Sequence, residues 1–113
     1  MNNRLPAHVE AGALIRRVEA EGGSAAVLKK GDPDRGALTL IVRERGEFRG
    51  ILERELGSDF EYRWKLKKAD EPLSSESLAV LIADKQRFDA DFWLIELDTV
   101  APERFIAETI GLG

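Results

Sequence analysis

Carboxylates are the side chains of this sequence best suited to chemistry, and they are concentrated in two short segments. Asp32 and Asp34 stand on either side of a proline, and Asp89 and Asp91 stand on either side of an alanine. Hard cations such as Mg²⁺ bind two or more carboxylate oxygens at about 2.1 Å. If both segments end at one edge of a sheet, these carboxylates form a candidate metal site. The alternative, which we favour, is turn chemistry, because Asp in these positions bonds backbone N–H groups.

Glu96 is a carboxylate of a different kind, because it shares one face of an apolar strand with Phe92 and Leu94. A charged group on a core face needs a partner. The candidate partners are Arg16, Arg17, Arg43 and Arg63. We expect a structural ion pair rather than a catalytic acid. The candidate functional surface comprises Lys30, Asp32, Asp34, Arg35, Asp89, Asp91 and Glu96.

Other residue types argue against most classes of catalysis. Cysteine is absent, which excludes disulfides, thiolate metal sites and cysteine catalysis. The one histidine, His8, supports neither a histidine-based triad nor a zinc site. The segment 31–36 lacks the glycine pattern of a nucleotide-binding loop, and we predict no cofactor. A metal-dependent, nuclease-like or hydrolytic enzyme that uses the clustered Asp residues remains an alternative, although the sequence lacks the Glu-x-Lys spacing of a nuclease core.

A nucleic-acid-binding module is a second alternative. The basic residues in question are Arg43, Arg45, Arg49, Arg54, Arg63, Lys65, Lys67 and Lys68. The acidic residues interleaved with them are Glu44, Glu47, Glu53, Glu55 and Glu61. Phosphate binding requires clustered positive charge, whereas this interleaving favours a solvated face of paired charges. We therefore do not expect a nucleic acid as the partner.

The overall composition predicts one soluble domain. The chain has 113 residues, a net charge of -4 and 43% hydrophobic residues, which suffices for one core. Its N-terminal segment lacks the apolar run of a signal peptide, and no stretch is long enough to span a bilayer. We therefore expect a cytoplasmic protein that does not associate with a membrane.

Periodicity and turn residues predict the element order α-β-β-β-β-α-β-(α). The predicted helices cover residues 7–21, a segment from Ser74 or Ser75 to about 84–87, and residues 102–110. The predicted strands cover residues 24–30, 37–44, 47–54, 59–67 and 92–97. This order indicates a single small α+β domain with a mixed or antiparallel sheet and helices packed mainly on one face. We expect residues 1–5 and 111–113 to be flexible ends.

Alternation in residues 59–67 predicts a strand with one buried face, made of Phe60, Tyr62, Trp64 and Leu66. Short strands and few catalytic residue types indicate an interaction or accessory domain without catalysis. Its expected partner is another protein or a second copy. An exposed edge strand at residues 25–30 or 47–54 would allow pairing between chains.

Two stretches also carry a family likeness, namely KKGDPDRGA at residues 29–37 and RFDADFWLIEL at residues 87–97. They resemble the two signature stretches of domain-of-unknown-function family 1491, a bacterial family common in alphaproteobacteria. The first helix and the following Gly22-Gly23 are similar to that family too, whereas the family usually has proline at the position of Ala90. The resemblance covers most of the chain. It implies a small single-domain cytoplasmic protein and supplies no activity.

Overall fold

The computed structural model describes residues 5–67 and 73–111, and its elements follow the predicted order. Within these residues the helices are α1 (Ala7–Ala20), α2 (Ser75–Phe88) and α3 (Pro102–Gly111). The strands are β1 (Ser24–Lys29), β2 (Leu38–Glu44), β3 (Glu47–Leu56), β4 (Tyr62–Lys67) and β5 (Trp93–Asp98). The predicted α+β class is therefore confirmed. The linker at 68–72 and residues 1–4, 112 and 113 lie outside the described residues, and Gly111, expected in a flexible end, is the last residue of α3.

The strands form one mixed sheet in the order β1-β5-β2-β3-β4. β5 is parallel to β2, and the other neighbouring pairs are antiparallel. The helix α2 provides the crossover that a parallel neighbour requires, and it returns the chain from the β4 edge to the interior position of β5. This interior position explains the apolar centre of β5, because residues on both of its faces are buried.

Alternate residues of β5 point into two different clusters. Trp93, Ile95 and Leu97 lie in the larger core under α1 and α3, together with residues such as Leu40 and Phe105. The opposite face carries a smaller cluster of Ile41, Phe92 and Leu94, against which Leu78 and Ile82 of α2 pack. No residue of α2 is itself buried, so α2 is the most lightly packed of the described helices.

The strand predicted at 59–67 is shorter than its alternation suggests, and its predicted buried face is largely wrong. β4 begins at Tyr62, because Gly57 and Glu61 close a turn in which Phe60 adopts a φ of 63°. Phe60 is 83% exposed, and Tyr62 and Leu66 are also exposed, so Trp64 alone of the four is buried. The reason is that β4 lies at the edge of the sheet, where the helices cover only part of its inner face.

Candidate functional surface

The two acidic segments meet, and they meet through their main chains. The N–H of Asp32 donates to the carbonyl oxygen of Asp91 at 2.9 Å. The indole Nε1 of Trp93 donates to the carbonyl oxygen of Asp32 at 2.7 Å, and the N–H of Trp93 donates to that of Ala37 at 2.7 Å. We call residues 29–37 together with 89–93 the clasp. It joins the loop before β2 to the loop before β5, which are the two parallel strands.

Glycine allows this close approach of two backbones. A Cβ atom added at Gly31 would lie 2.1 Å from the carbonyl oxygen of Asp91, and one added at Gly36 would lie 2.4 Å from the same atom. Real Cβ atoms do not approach a backbone oxygen so closely, and a backbone cannot move aside as a flexible side chain can. Both glycines of the clasp are therefore required for its packing.

The side chain of Lys29 crosses from the edge of the sheet into the clasp. Its Nζ donates to the carbonyl oxygens of Ala90 at 2.8 Å and Phe92 at 2.9 Å. It also lies 4.5 Å from the centroid of the buried Phe92 ring, a cation–π distance. Lys29 thus satisfies two main-chain carbonyl groups that precede β5.

The carboxylates of Asp32 and Asp89 are occupied by turns. Asp32 Oδ1 accepts the N–H groups of Arg35 and Asp34 at 2.8 and 2.9 Å, and these bonds hold the pKa of Asp32 below its usual value. Asp89 Oδ1 accepts the N–H of Asp91 at 3.0 Å. Across residues 5–67 and 73–111, no group of three or more His, Asp or Glu side chains is arranged to hold a metal ion.

The other predicted surface residues divide into two places. Lys30, Asp34, Arg35 and Asp91 have exposed side chains around the clasp. Glu96 lies further along β5 on the α2 face, where its Oε2 accepts a hydrogen bond from Arg43 Nε at 2.7 Å. The structural ion pair expected for this carboxylate is therefore present, with one of the four candidate arginines, and Glu96 is a separate feature from the clasp.

Three residues that hold the clasp together were not predicted from the sequence as site residues. These are Lys29, Trp93 and His8. The ring Nδ1 of His8 lies 2.9 Å from the carbonyl oxygen of Pro33, and the N–H of His8 donates to the same carbonyl group. The start of α1 is thereby tied to the first loop. Long-range contacts of this type leave no trace in local periodicity. The two family stretches contain Lys29 and Trp93, whereas no sequence signal pointed to His8.

The basic residues considered for nucleic-acid binding are largely paired with carboxylates. Pairs join Arg43 to Glu96, Arg49 to Glu44, Arg54 to Glu10, Arg63 to Asp59, and Lys67 to Glu55. Lys68 lies outside the described residues. Paired guanidinium and ammonium groups would have to break these contacts before they could bind phosphate. The arrangement matches the interleaved charge pattern of the sequence.

A cleft of about 410 Å³ lies at the opposite end of the parallel strands from the clasp, and Asp98 is one of the two carboxylates that line it. Its lining residues are Gly22, Gly23, Ser24, Glu44, Arg45, Asp98, Thr99 and Val100. Both oxygens of Asp98 accept main-chain hydrogen bonds, from the N–H groups of Arg45 at 2.8 Å and Gly46 at 2.9 Å. This carboxylate fixes the turn between β2 and β3.

The two edges of the sheet differ in chemistry. β4 carries Arg63, Lys65 and Lys67 at alternate positions, a pattern that discourages pairing with another strand. β1 has no charged residue from Ser24 to Leu28, and Val27 and Leu28 are 45% and 40% exposed. Its one charge belongs to Lys29, which turns into the clasp. The alternative edge predicted at 47–54 is wrong, because β3 lies between β2 and β4.

Comparison with known proteins identifies the family of this chain. The family model described as "Protein of unknown function (DUF1491)" matches residues 5–107. No curated protein matches the chain. In the described residues no helix is long and apolar enough to cross a membrane.

Three solved structures are similar to this one. A crystal structure of a DUF1491 family protein from Caulobacter crescentus CB15 is 26% identical, with a TM-score of 0.70 over 86% of this chain and 90% of that one. An NMR structure of a DUF1491 family protein from the same organism is 28% identical, with a TM-score of 0.68 over 84% and 86%. The solution structure of protein Atu0922 from A. tumefaciens is 34% identical, with a TM-score of 0.69 over 85% and 86%. The chain belongs to the DUF1491 family.

Proposed function

We propose that this protein is an interaction domain that binds an extended segment of a protein partner by strand addition to β1. The observation that carries the proposal is the uncharged, exposed edge from Ser24 to Leu28, which contrasts with the charged edge at β4. The proposal includes the cytoplasmic location expected from the sequence.

Strand addition draws its affinity from main-chain hydrogen bonds and its specificity from alternate side chains. An edge strand presents a row of N–H and C=O groups that another strand can pair with, and proteins commonly guard such an edge with charge. In β1 the regular register with β5 runs from Ser24 to Val27 and is interrupted by a bulge between Val27 and Lys29. Leu28 is the residue without a partner in β5, so the bulge ends the regular pairing just before Lys29.

The clasp supports this function indirectly. Because the Lys29 ammonium group is held by the carbonyl oxygens of Ala90 and Phe92, it does not project from the edge as a guarding charge. The same contacts fix the C-terminal end of β1 against β5. A rigid edge loses less conformational entropy when a partner strand binds.

The metal-dependent alternative has less support. A hard cation requires several free carboxylate oxygens at one point. In the clasp, Asp32 and Asp89 already accept backbone N–H groups in turns. Titration with Mg²⁺ or Mn²⁺ tests this alternative, because binding at the clasp would shift the amide resonances of these two residues and of Asp91.

A random peptide library displayed on phage tests the proposed function. We expect the wild-type protein to select extended peptides, and the β1 amides to shift when such a peptide is added. Val27→Lys should weaken this binding at least tenfold, because it places a charge on the edge. Val80→Lys is the matched control, since Val80 is 60% exposed on α2, away from β1. Equal binding by the two variants, or shifts confined to other strands, would refute the proposal.

A further inference from the structure

We infer that the strand that pairs with β1 is β1 of a second copy, antiparallel and centred on Ala26. The inference rests on the proposed function, because it uses the same edge and names its partner. The resulting dimer has a twofold axis perpendicular to the sheet, and the two sheets continue into one another. Such an isologous contact closes on itself and does not extend into a fibre.

The register follows from the residues of the edge. With Ala26 opposite Ala26 of the second copy, Ala25 lies opposite Val27 and Ser24 lies opposite Leu28. A small side chain then stands opposite a larger one at each off-centre position. Directly opposed side chains are the pairs that stabilise a sheet, and like charges there destabilise it. None of the five paired residues is charged.

Other symmetric registers use this edge less well. A register centred on Val27 would place Ala25 opposite Lys29 and Ser24 opposite Lys30. A register centred on Ala25 would place Val27 and Leu28 opposite Gly23 and Gly22, which precede β1. A one-residue slip would turn the helix-bearing faces of the two copies to opposite sides, because side chains alternate along a strand. Centring on Ala26 uses the whole uncharged segment.

Charges beyond the segment are also complementary in this register. Lys30, which follows the bulge, lies near Gly22 and the exposed Glu21 of the second copy. Lys30 is exposed and projects from the end of β1, whereas Glu21 follows the end of α1 and accepts a hydrogen bond from Arg104 at 2.9 Å. The twofold axis generates this contact twice, once at each end of the paired strands. Opposite charges at both ends favour the antiparallel orientation.

Disulfide trapping tests the register directly, because the chain contains no cysteine. Opposed residues of antiparallel strands have Cα atoms about 4.5–5.5 Å apart, within the range that a disulfide spans. Ala26→Cys should therefore cross-link readily under mild oxidation. Ala83→Cys is the matched control on the exposed face of α2 and should remain monomeric. Ser24→Cys and Leu28→Cys should cross-link to each other when mixed, and not when each is alone.

Light scattering gives the second measurement. Wild-type protein should form a dimer at high concentration. Ala26→Lys should raise the dissociation constant of this dimer at least tenfold. The new lysine should not disturb the fold, because position 26 is exposed and lies opposite Glu96 of β5 in the same chain. Circular dichroism checks that the variant remains folded.

The outcomes separate this inference from the proposed function. A strictly monomeric wild type that still binds library peptides at β1 would overturn the inference and leave the proposed function standing. A monomer that binds no peptide would overturn both. Equal cross-linking of Ala26→Cys and Ala83→Cys would overturn the inferred register and with it the inference.

Discussion

Lys29→Met is the substitution that most sharply tests the structural role assigned to the clasp. It keeps the length and apolar character of the side chain and removes the ammonium group that bonds to Ala90 and Phe92. Hydrogen bonds to charged groups contribute about 1.5–3 kcal/mol each, and a cation–π contact contributes about 1 kcal/mol. Desolvation of the ammonium ion offsets part of this gain. We therefore expect the free energy of unfolding to fall by about 2–4 kcal/mol.

Urea denaturation followed by tryptophan fluorescence measures this effect, since Trp93 lies in the clasp. Lys30→Met is the matched control when both variants are compared at a protein concentration too low for the inferred dimer, because Lys30 is the adjacent residue, is exposed and undergoes the same chemical change. Its effect should be within about 0.5 kcal/mol of zero. Equal effects of the two substitutions would refute the assignment of Lys29 to the clasp.

Three further predictions concern glycines and pH. Gly36→Ala should lower the free energy of unfolding by more than about 3 kcal/mol, because its Cβ would meet the Asp91 carbonyl oxygen. Gly46→Ala, at a φ of 84° with open space around it, should lower it by about 1–2 kcal/mol. Urea denaturation measures both. Gly12→Ala should raise the melting temperature, with a gain of about 0.5–1 kcal/mol, since its Cβ meets only a flexible guanidinium group; an unchanged melting temperature would contradict this. Because its pKa is lowered in the folded state, the Asp32 carboxylate stabilises the fold at pH values above its unfolded pKa of 3.8, and this contribution is lost as pH falls through the lower folded pKa. Asp32→Asn should therefore make the free energy of unfolding fall less steeply as the pH is lowered. The same acid dependence in both proteins would contradict the argument.

Local periodicity predicted most of the elements, because apolar stripes and turn residues are properties of neighbouring positions. The apolar run around Trp93 and Leu94 indicated an interior strand, and the structure places β5 between β1 and β2. A carboxylate on a core face needs a partner, and this predicted the ion pair of the half-buried Glu96. The four candidate arginines remained open until the structure identified Arg43. The interior strand and the ion pair could be predicted because both follow from which side chains are buried in the core.

The contacts that define the clasp could not be predicted, because they join residues about sixty positions apart. The favoured prediction for the two acidic segments was turn chemistry, and Asp32 and Asp89 do accept backbone N–H groups in turns. Nothing in the sequence indicated that the main-chain groups of Asp32 and Asp91 join the two segments. The exposure of Phe60 was missed for a related reason. Alternation shows which residues share a face, and only the position of β4 at the edge decides whether that face is covered.

The family likeness and the clasp coincide in this chain. The stretches at 29–37 and 87–97 contain Lys29, Gly31, Gly36 and Trp93, whose contacts hold the loops before β2 and β5 together. The residues by which the sequence resembles its family therefore have a structural role here. The proposed interaction surface adjoins them along β1, at uncharged residues that are exposed apart from the half-buried Ala25.

Amide hydrogen exchange of the wild-type protein, followed by NMR from micromolar to millimolar concentration, tests the central claim most directly. If β1 is the interacting edge, the amides of Ser24 to Leu28 that face outward will exchange more slowly as concentration rises, and those of β4 will not. Val27→Lys should abolish this protection. Exchange at β1 that is independent of both concentration and bound peptide would contradict the claim that β1 is a binding edge.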